Sequence, residues 1–470
     1  MELNPVFERY LAEAVGEDKA RIAMDAFDLP ASVSIRYNPF KCKLLGNYDQ
    51  SRVMPFEELF DGEVKWCKSA YYLSERPVFT LDPLFHAGCY YVQDSSAMFP
   101  GYVLRSVLDK VQVPLGRPIR VLDLCAAPGG KTTDAVSSLR TKFGENFLLV
   151  ANEIMKQRAS LLAENTAIWG DPNVVVTSLD PTAFASLPGY FDIIIADVPC
   201  SGEGMFRKDE EAVRQWSEAN VELCRARQRR IVADVWPTLA PGGVLIYSTC
   251  TFNRLENDTN VEWITQSLGA DPLVLDAGFE EVLKTEFGYA LVSGLVRGEG
   301  QYCAAVVKHD SDGYFYASRH DRKKPQSANV LSPAICSNIE KMFINDVIVS
   351  LSRDMVVATP RMIDDDLGIL SALKPLRKGT SVGRIKGKDL VPDADLALCL
   401  NLDRNSFESV SLTRDEVLRF LHKDPLILPN APHGVILLTY NEVALGFVKN
   451  LGNRTNSLLP QNRRIRMDVR

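Results

Sequence analysis

One stretch decides the fold of this chain: Arg120-Val-Leu-Asp-Leu-Cys125-Ala-Ala-Pro-Gly-Gly-Lys131-Thr-Thr. An apolar, β-branched run ends at Leu124 in a loop of small residues, and a helical pattern follows. Gly129 and Gly130 allow backbone dihedrals and close approaches that a side chain would block. The free N–H groups that begin the next helix point into the same crevice. The stretch predicts the strand, turn and helix that open a mononucleotide-binding βαβ unit, with an ordinary βα turn as the alternative on the glycines alone.

Further apolar runs after this stretch have the length of strands. They cover residues 147–151, 173–178, 191–196 and 243–247, and a late run covers 302–308. The first four are apolar almost throughout, as is typical of parallel strands that are covered on both faces by helices. Strands that alternate with helical patterns predict an α/β fold with a mostly parallel sheet.

Polar residues stand directly after the carboxyl ends of these strands. They are Glu153, Asp180, Asp197, Cys200 and Cys250. A single acidic residue at a strand end is usually a turn former or an N-cap. Three acids, two cysteines and a glycine loop at one edge indicate a shared site instead, because ligands bind at the carboxyl edge of an open, doubly wound sheet.

The acids at this edge fit an adenosine cofactor. Glu153 ends the second strand, where a carboxylate can accept both ribose hydroxyl protons. Asp180 ends the third strand and can face an adenine amino group. The loop matches neither G-x-G-x-x-G nor G-x-x-x-x-G-K-[ST], which disfavours a dinucleotide and a P-loop nucleotide. A smaller cofactor such as S-adenosylmethionine fits better.

Composition sets wider bounds on the protein. The 470 residues leave room for two to four domains, and 46% hydrophobic with 24% charged residues is typical of a soluble globular protein. The sequence contains no apolar run long enough to cross a bilayer, and its N-terminus does not resemble a signal peptide. Ten scattered cysteines, without CxxC pairs, predict reduced thiols in the cytoplasm and no metal site. The net charge of −7 does not exclude RNA, because an average conceals local basic patches.

Three segments resemble the motifs of the NOL1/NOP2/Sun family of RNA cytosine-C5 methyltransferases. They are Cys-Ala-Ala-Pro-Gly-Gly-Lys-Thr at 125–132, Asp197-Val-Pro-Cys200-Ser-Gly-Glu-Gly204 and Ser248-Thr-Cys250-Thr. The resemblance covers residues 85 to 310. It implies a Rossmann-like class I methyltransferase sheet with a small N-terminal α/β cap and a C-terminal α+β, PUA-like RNA-binding extension. It also implies S-adenosylmethionine as the cofactor.

The resemblance assigns roles to the residues at the sheet edge. Cys250 would be the nucleophile, Cys200 would assist breakdown of the covalent adduct, and Asp197 would bind cytosine N3 and the amino group. This fits the chemistry, because a thiolate that adds to C6 turns the poorly nucleophilic C5 into an enamine carbon. The cofactor would be bound by Cys125, Ala126, Ala127, Pro128, Gly129, Gly130, Lys131, Glu153, Asp180 and Asp197.

Two neighbouring segments carry further expectations. Asn253-Arg-Leu-Glu256 is a capping pattern that predicts a helix start close to Cys250, where the helix dipole would help to lower the thiol pKa. Met205-Phe206-Arg207-Lys208 is interpreted either as a mobile flap over a flipped base or as a solvated loop.

Four regions are expected along the chain. Residues 1–85 form a cap and candidate RNA-binding region, residues 86–310 the methyltransferase domain, and residues 311–330 a polar linker. Residues 331–470 form a C-terminal RNA-binding region of one or two small modules, PUA-like at the end. We expect the protein to be a monomer.

Basic segments are candidates for contact with RNA phosphates, although a charge run is more often a solvated face. The run 374–388 is favoured because it contains no acidic residue. The candidate residues in this run and near the C-terminus are Lys374, Arg377, Lys378, Arg384, Lys386, Lys388, Arg463 and Arg464.

The resemblance thus implies methylation of a cytosine at C5 in small-subunit (16S) ribosomal RNA. A tRNA substrate and a non-catalytic ribosome-assembly factor are the alternatives. An amino methyltransferase would call for an Asn-Pro-Pro-Tyr type of loop after the fourth strand, where Asp197-Val-Pro-Cys200 stands.

Overall fold

The computed structural model describes residues 3–42, 54–111, 114–309, 331–387 and 389–468. The linker expected at 311–330 and the candidate Lys388 lie outside these residues. In the part of the chain that is described, no helix is both long and apolar enough to span a membrane.

The N-terminal region consists of a helix pair and a four-stranded antiparallel sheet. Asn4 caps the first helix by accepting the Val6 N–H at 2.9 Å. The elements are α1 (Pro5–Val15), α2 (Glu17–Ala26), β1 (Val33–Tyr37), α3 (Pro39–Cys42), β2 (Phe60–Glu63), β3 (Ala70–Leu73), α4 (Pro83–His86) and β4 (Tyr90–Val92). The strand order is β2-β3-β1-β4, so this sheet continues to Val92, beyond the expected domain boundary at residue 85.

The middle of the chain forms a large mixed sheet with helices on both faces. Its strands are β5 (Ile119–Asp123), β6 (Phe147–Asn152), β7 (Val174–Thr177), β8 (Phe191–Asp197), β9 (Leu239–Thr249), β10 (Ala270–Pro272), β11 (Leu283–Lys284), β12 (Gly288–Val292) and β13 (Gly300–Lys308). Its helices are α5 (Phe99–Leu108), α6 (Gly130–Phe143), α7 (Lys156–Trp169), α8 (Glu210–Gln215), α9 (Glu218–Val235) and α10 (Asp258–Leu268).

The strand order in this sheet is β11-β12-β13-β9-β8-β5-β6-β7, with β10 paired to β13. Strands β5 to β9 are parallel and the later strands antiparallel. Successive side chains of one strand point to opposite faces of the sheet. In β5, Val121 packs in the apolar cluster on one face and Leu122 in the cluster on the other. This explains the continuous apolar runs, and the predicted Rossmann-like α/β fold is confirmed.

The C-terminal region forms two small α+β modules. The first contains α11 (Pro333–Glu340), β14 (Val347–Ser352), β15 (Met355–Pro360), α12 (Asp364–Leu370), β16 (Arg377–Lys378), β17 (Thr380–Lys386), β18 (Asp389–Pro392) and α13 (Ala394–Leu398). The second contains β19 (Glu408–Ser411), α14 (Arg414–His422), β20 (Gly434–Tyr440), β21 (Val443–Asn450) and β22 (Thr455–Ser457). Their sheet orders are β14-β15-β17-β18 and β19-β20-β21-β22.

Strand β16 belongs to neither of these two sheets. It pairs antiparallel with β7, with Arg377 opposite Val176 and Lys378 opposite Val175, and is the tenth strand of the central sheet. The preceding Leu376 N–H donates to the Val176 carbonyl at 2.8 Å. The C-terminal region is therefore joined to the methyltransferase domain by main-chain hydrogen bonds.

The N-terminal helix pair packs against the segments that follow β8 and β9. Phe7 of α1 lies with its ring centroid 4.9 Å from that of Phe206. Phe27, directly after α2, lies 6.3 Å from Phe252 in the same way. All four rings are buried in one apolar cluster. The helix pair therefore supports the loops at the carboxyl edge of the sheet.

Candidate active site at the carboxyl edge of the sheet

Two loops at the carboxyl edge bring two thiols together. The β8 loop (residues 198–209) carries Cys200, and the β9 loop (residues 250–257) carries Cys250. Because β8 and β9 are parallel neighbours, both loops leave the sheet at the same edge. The Cys200 and Cys250 Sγ atoms lie 3.1 Å apart, and both cysteines are half-buried free thiols. The hydrogen bond with Cys250, together with burial, raises the pKa of Cys200 well above its usual value, so Cys200 keeps its proton.

The carboxylate of Asp197 lies at the end of β8 and accepts hydrogen bonds from three side chains. Lys131 Nζ donates to Oδ2 at 2.9 Å, and Ser248 Oγ and Gln301 Nε2 donate to Oδ1 at 2.7 and 3.1 Å. Ser248 stands opposite Asp197 in the register of β8 and β9. A carboxylate has about four lone-pair positions, so Asp197 can still form a further hydrogen bond besides these three. Gln301 was not singled out from the sequence, because it lies a hundred residues further along the chain.

Lys131 supplies the positive charge of this site. Its side chain is largely buried, and burial alone would lower its pKa. The negative charge of Asp197, the hydrogen bond to it and the electrostatic effect of Cys250 outweigh burial and raise the pKa of Lys131. The ammonium group therefore stays charged next to Asp197 and within electrostatic range of the Cys250 thiol.

The loop between β5 and α6 requires glycine at two positions. Gly129 has a φ of 113°, in the region that favours glycine, and α6 begins at the next residue. A Cβ on Gly130 would lie 3.2 Å from the Gln93 side chain, so this position leaves little room for any side chain. Two side chains of α7 hold carbonyl groups of this loop in place. Arg158 donates to Ala127 O at 2.8 Å, and Asn165 donates to Pro128 O at 2.7 Å.

Glu153 and Asp180 lie at the ends of β6 and β7, as expected. Glu153 is buried, and its Oε1 accepts the Met155 N–H at 2.9 Å while its Oε2 lies 3.5 Å from the Arg158 guanidinium. Asp180 is half-buried and accepts hydrogen bonds from the hydroxyl and the N–H of Thr182 at 2.7 and 3.1 Å, which lower its pKa. Asp180 thus acts as an N-cap here, and its contact with an adenine stays a prediction.

Asp123 is a site residue that sequence reasoning missed. It ends β5, and its Oδ2 accepts the Thr132 hydroxyl at 2.6 Å. Its Oδ1 is buried and has no hydrogen-bond partner among the described residues, and burial raises the pKa of Asp123 to about 7. A buried oxygen without a donor, beside a glycine loop, fits a ligand that carries an ammonium or hydroxyl group, as S-adenosylmethionine does. The available signal was an acidic residue at the end of an otherwise apolar strand.

The segment after Cys250 differs from its expected form. The Asn253 side chain accepts the Glu256 N–H at 2.9 Å, as a capping pattern requires. However, the helix α10 begins only at Asp258, after a turn. The predicted helix start beside Cys250 is therefore wrong, because Glu256 directs its carboxylate into a buried hydrogen-bond network and not towards the backbone of a first helical turn.

The segment 205–208 is anchored on both sides. Phe206 is only 2% exposed, packed in the cluster of the N-terminal helix pair. Arg207 Nε donates to Glu299 Oε2 at 2.7 Å, and Lys208 Nζ lies 3.2 Å from Glu299 Oε1. Met205 and Lys208 are exposed, Arg207 is half-buried and Phe206 is buried. Contacts of Phe206, Arg207 and Lys208 thus hold this segment in place, and its role as a flap stays a prediction.

Some of the candidate RNA-binding residues are enclosed by the protein. Arg463 donates to Asp395 at 2.6 Å and also pairs with Glu164 of α7. The Arg377 guanidinium lies 3.8 Å from the same Asp395 carboxylate, and its side chain is only 9% exposed. These charges join the C-terminal modules to the methyltransferase domain. Arg464 is half-buried near His422.

The other candidates lie closer to solvent. Lys374 and Lys386 are exposed, and Lys378 is half-buried. Arg384 is exposed and pairs with Asp354 at 2.8 Å. Among the described residues there is no group of three or more His, Cys, Asp or Glu side chains that could hold a metal ion.

Models of known families match three parts of this chain. Residues 117–319 match 16S rRNA methyltransferase RsmB/F, residues 3–95 match the N-terminal domain of RsmF, and residues 407–465 match the RsmF PUA domain. The methyltransferase domain of this chain is thus similar to the RsmB/F family, and the regions on either side of it are similar to RsmF domains. The resemblance noted in the sequence and the prediction of a methyltransferase are thereby confirmed.

Relatives named ribosomal RNA small subunit methyltransferase F match this chain along almost its whole length. The one from Klebsiella pneumoniae (strain 342) is 28% identical over 98% of this chain and 97% of its own. The one from Shewanella sp. (strain W3-18-1) is also 28% identical, over 97% of this chain and 96% of its own.

Solved structures share the fold. A methyltransferase homolog protein from Pyrococcus horikoshii aligns with a TM-score of 0.53 and 24% identity over 65% of this chain and 95% of its own. NSun6 from Pyrococcus horikoshii, solved with SFG, aligns with a TM-score of 0.51 and 17% identity over 66% of this chain and 99% of its own. The central sheet and its flanking helices are thus the methyltransferase fold expected from the sequence.

Proposed function

We propose that this protein transfers a methyl group from S-adenosylmethionine to C5 of a cytosine in small-subunit (16S) ribosomal RNA, through a covalent bond between Cys250 and C6. The observation that carries the proposal is the pair of thiols 3.1 Å apart, next to Asp197 and Lys131, at the carboxyl edge of a methyltransferase sheet. Methylation of an amino group would need neither thiol. The names of the full-length relatives support ribosomal RNA as the substrate.

The cofactor would be bound between the loop 125–131 and the ends of β6 and β7. Glu153 would accept the ribose hydroxyls, Asp180 would face the adenine, and the unpartnered oxygen of Asp123 would receive a donor from the cofactor. SFG, which accompanies a structural relative, is an analogue of S-adenosylmethionine. When bound, S-adenosylmethionine supplies an electrophilic methyl group on sulfur.

Asp197 would select cytosine by its hydrogen-bonding pattern. One carboxylate oxygen would accept a hydrogen bond from the cytosine amino group, and the other, when it carries a proton, would donate it to N3, which is an acceptor in cytosine. Uracil presents an oxygen in place of the amino group, and this oxygen would face the carboxylate without a proton between them. Lys131 would balance the charge of Asp197 and provide a positive charge within electrostatic range of Cys250.

Cys250 would form the covalent bond, and Cys200 would assist its breakage. As the Cys250 sulfur adds to C6, the C5 carbon becomes electron-rich and can attack the methyl group. In the breakdown step, a water molecule would take the C5 proton as base, the C5–C6 double bond would re-form, and the C6–S bond would break so that Cys250 leaves as a thiolate. Cys200 keeps its proton and lies 3.1 Å from that sulfur, so its S–H can donate to the departing thiolate.

RNA would reach this edge from the side of the C-terminal modules. A base in structured RNA must be flipped out before C6 can contact Cys250. The exposed cations Lys374 and Lys386, together with Arg384 and the PUA module at 407–465, are the proposed phosphate contacts. The buried Arg377 is not part of this interface. Because the proposed substrate is ribosomal RNA, we propose that the protein acts in the cytoplasm.

A trapping experiment tests the proposal. Wild-type protein with S-adenosylmethionine and 16S ribosomal RNA should produce 5-methylcytidine, measured by nucleoside mass spectrometry. Cys200→Ala should accumulate a protein–RNA adduct that resists denaturation, whereas Cys250→Ala should form none. Cys336→Ala, in the C-terminal region, is the matched control and should behave as wild type. Methylation of tRNA alone, or an adduct that persists in Cys250→Ala, would contradict the proposal.

A further inference from the structure

A buried carboxylate of the β8 loop binds the backbone of the β9 loop. Glu203 Oε2 accepts the N–H groups of Phe252 and Asn253 at 2.7 and 3.0 Å. Its Oε1 accepts Trp216 Nε1 and the Asn253 side-chain amide, both at 2.9 Å. Glu203 is 1% exposed, so water does not compete for these donors. The loop that carries Cys200 therefore fixes the residues that follow Cys250.

A second buried carboxylate makes the reciprocal contact. Glu256 belongs to the β9 loop, and its Oε2 accepts the backbone N–H of Ser201 in the β8 loop at 3.0 Å. The same oxygen accepts Gln228 Nε2 of α9 at 2.7 Å, and Oε1 accepts the Asn253 amide at 2.8 Å. Glu256 is fully buried. The residue after Cys200 is thus fixed by the loop that carries Cys250.

We propose that Glu203 and Glu256 are positioning residues that together set the distance between the Cys200 and Cys250 thiols. Each carboxylate is provided by one cysteine loop and satisfies backbone donors of the other, so neither loop can move away without leaving a buried N–H group and a buried charge unpaired. We call these reciprocal contacts of Glu203 and Glu256 with the two loops the brace. Its catalytic consequence rests on the proposed function, whereas the contacts themselves are independent of it.

Both positions carry glutamate because the groups around them are hydrogen-bond donors and a carboxylate can accept from all of them. The N–H groups of Phe252, Asn253, Trp216 and Ser201 all donate, and an ionised carboxylate has only acceptors to offer them. Burial raises the pKa of Glu256 to about 7, and the hydrogen bonds from Ser201, Asn253 and Gln228 act in the opposite direction by favouring its ionised form. A glutamine has the same shape, but its amide N–H₂ would face N–H donors. Glu→Gln is therefore the variant that removes the brace with the least change in volume.

The brace matters most for release of the adduct. Formation of the Cys250–C6 bond needs only Cys250, whereas its breakage also needs the Cys200 S–H within hydrogen-bond distance of the departing sulfur. In E203Q and E256Q, we expect adduct release to slow at least tenfold while adduct formation changes less than threefold. The KM for S-adenosylmethionine should stay within twofold of wild type, because the cofactor loop leaves the sheet after β5 and lies outside the brace.

Single-turnover kinetics with 16S ribosomal RNA measure both steps. The control is E211Q, because Glu211 is an exposed carboxylate of α8 that contacts Arg214 on the surface. It should leave formation and release unchanged. E203D keeps the charge with a shorter reach and should recover part of the release rate. Equal losses in formation, release and cofactor affinity would indicate general structural damage and would overturn the positioning role, as would unchanged release.

Amide hydrogen exchange tests the brace without any reaction. In the wild-type protein, the backbone amides of Ser201, Phe252 and Asn253 should be strongly protected although they lie in loops, because glutamate side chains accept them. Exchange at the rate of free loop amides would overturn the proposal even if the variants failed to fold. Protected amides in a protein that methylates nothing would contradict the proposed function and leave the brace intact.

Discussion

Cys200 Sγ lies 3.1 Å from Cys250 Sγ, although the two cysteines are separated by fifty residues and belong to different loops. A disulfide requires the sulfur atoms to approach to about 2.05 Å. The thiols are therefore within a small displacement of a covalent bond with each other.

We expect diamide to oxidise this pair and block methylation. Each thiol would give up one proton and one electron to the N=N bond of diamide, which becomes a hydrazine, and dithiothreitol would restore activity. Peptide mass spectrometry should find Cys200 linked to Cys250. The link should persist in Cys336→Ser and vanish in Cys250→Ser. Inactivation without this link would contradict the expectation.

The ion pair between Lys131 and Asp197 should be needed for catalysis. Lys131→Met removes a charged hydrogen bond, which contributes about 1.5–3 kcal/mol, so kcat should fall about 10- to 100-fold. The matched control is Lys142→Met, on the same helix, because Lys142 makes an exposed pair with Asp109. Steady-state kinetics measure both variants. A kcat within twofold of wild type in Lys131→Met would show that Asp197 does not depend on this cation.

Stability should depend on pH through Asp123. Burial raises its pKa from 3.8 to about 7, so between these values the folded chain holds a proton that the unfolded chain has lost. The free energy of unfolding should therefore fall as pH rises through this window, by about 4 kcal/mol at most from this group. Asp123→Asn should remove this slope in urea unfolding, while the exposed Asp109→Asn should keep it. Equal slopes in all three proteins would contradict the prediction.

The N-terminal helix pair should stabilise the catalytic loops. Phe7 packs with its ring centroid 5.6 Å from that of Trp216, whose indole N–H donates to Glu203. Phe7→Ala should lower the free energy of unfolding by about 3–5 kcal/mol because it leaves a cavity in this cluster. Ile22→Ala, on the exposed face of α2, should change it by less than about 0.5 kcal/mol. Denaturant titration separates the two results.

Two kinds of basic residue in the run 374–388 should behave differently. Replacement of the exposed Lys374 and Lys386 by alanine should weaken RNA binding without a change in Tm. The slope of log K against log salt concentration should become shallower by about one unit for each phosphate that the variant no longer neutralises. Arg377→Ala should lower Tm instead, because it removes a charge that is buried beside Asp395. Fluorescence anisotropy at several salt concentrations and thermal melts measure these effects. Weaker RNA binding at full stability in Arg377→Ala would contradict the assignment.

The sequence indicated the parts of this molecule that depend on local patterns. Apolar runs predicted the parallel strands, and the rule that their carboxyl ends share an edge predicted that Asp197, Cys200 and Cys250 would lie at one edge of the sheet. Pairings between distant residues could not be predicted. No residue close to Arg377 in the sequence indicated that its side chain would be buried beside Asp395. Likewise, Glu256 fitted a capping pattern, and only the fold shows that its partner is the backbone of Ser201, fifty-five residues earlier.

The pairing of β16 with β7 protects an edge of the central sheet. Without Arg377 and Lys378, the outer side of Val174–Thr177 would present unpaired N–H and carbonyl groups on a short, wholly buried strand. Such an exposed edge is a template for association with a second chain. A protein shortened after β13 would therefore lack more than a candidate RNA-binding region: it would become prone to self-association through β7.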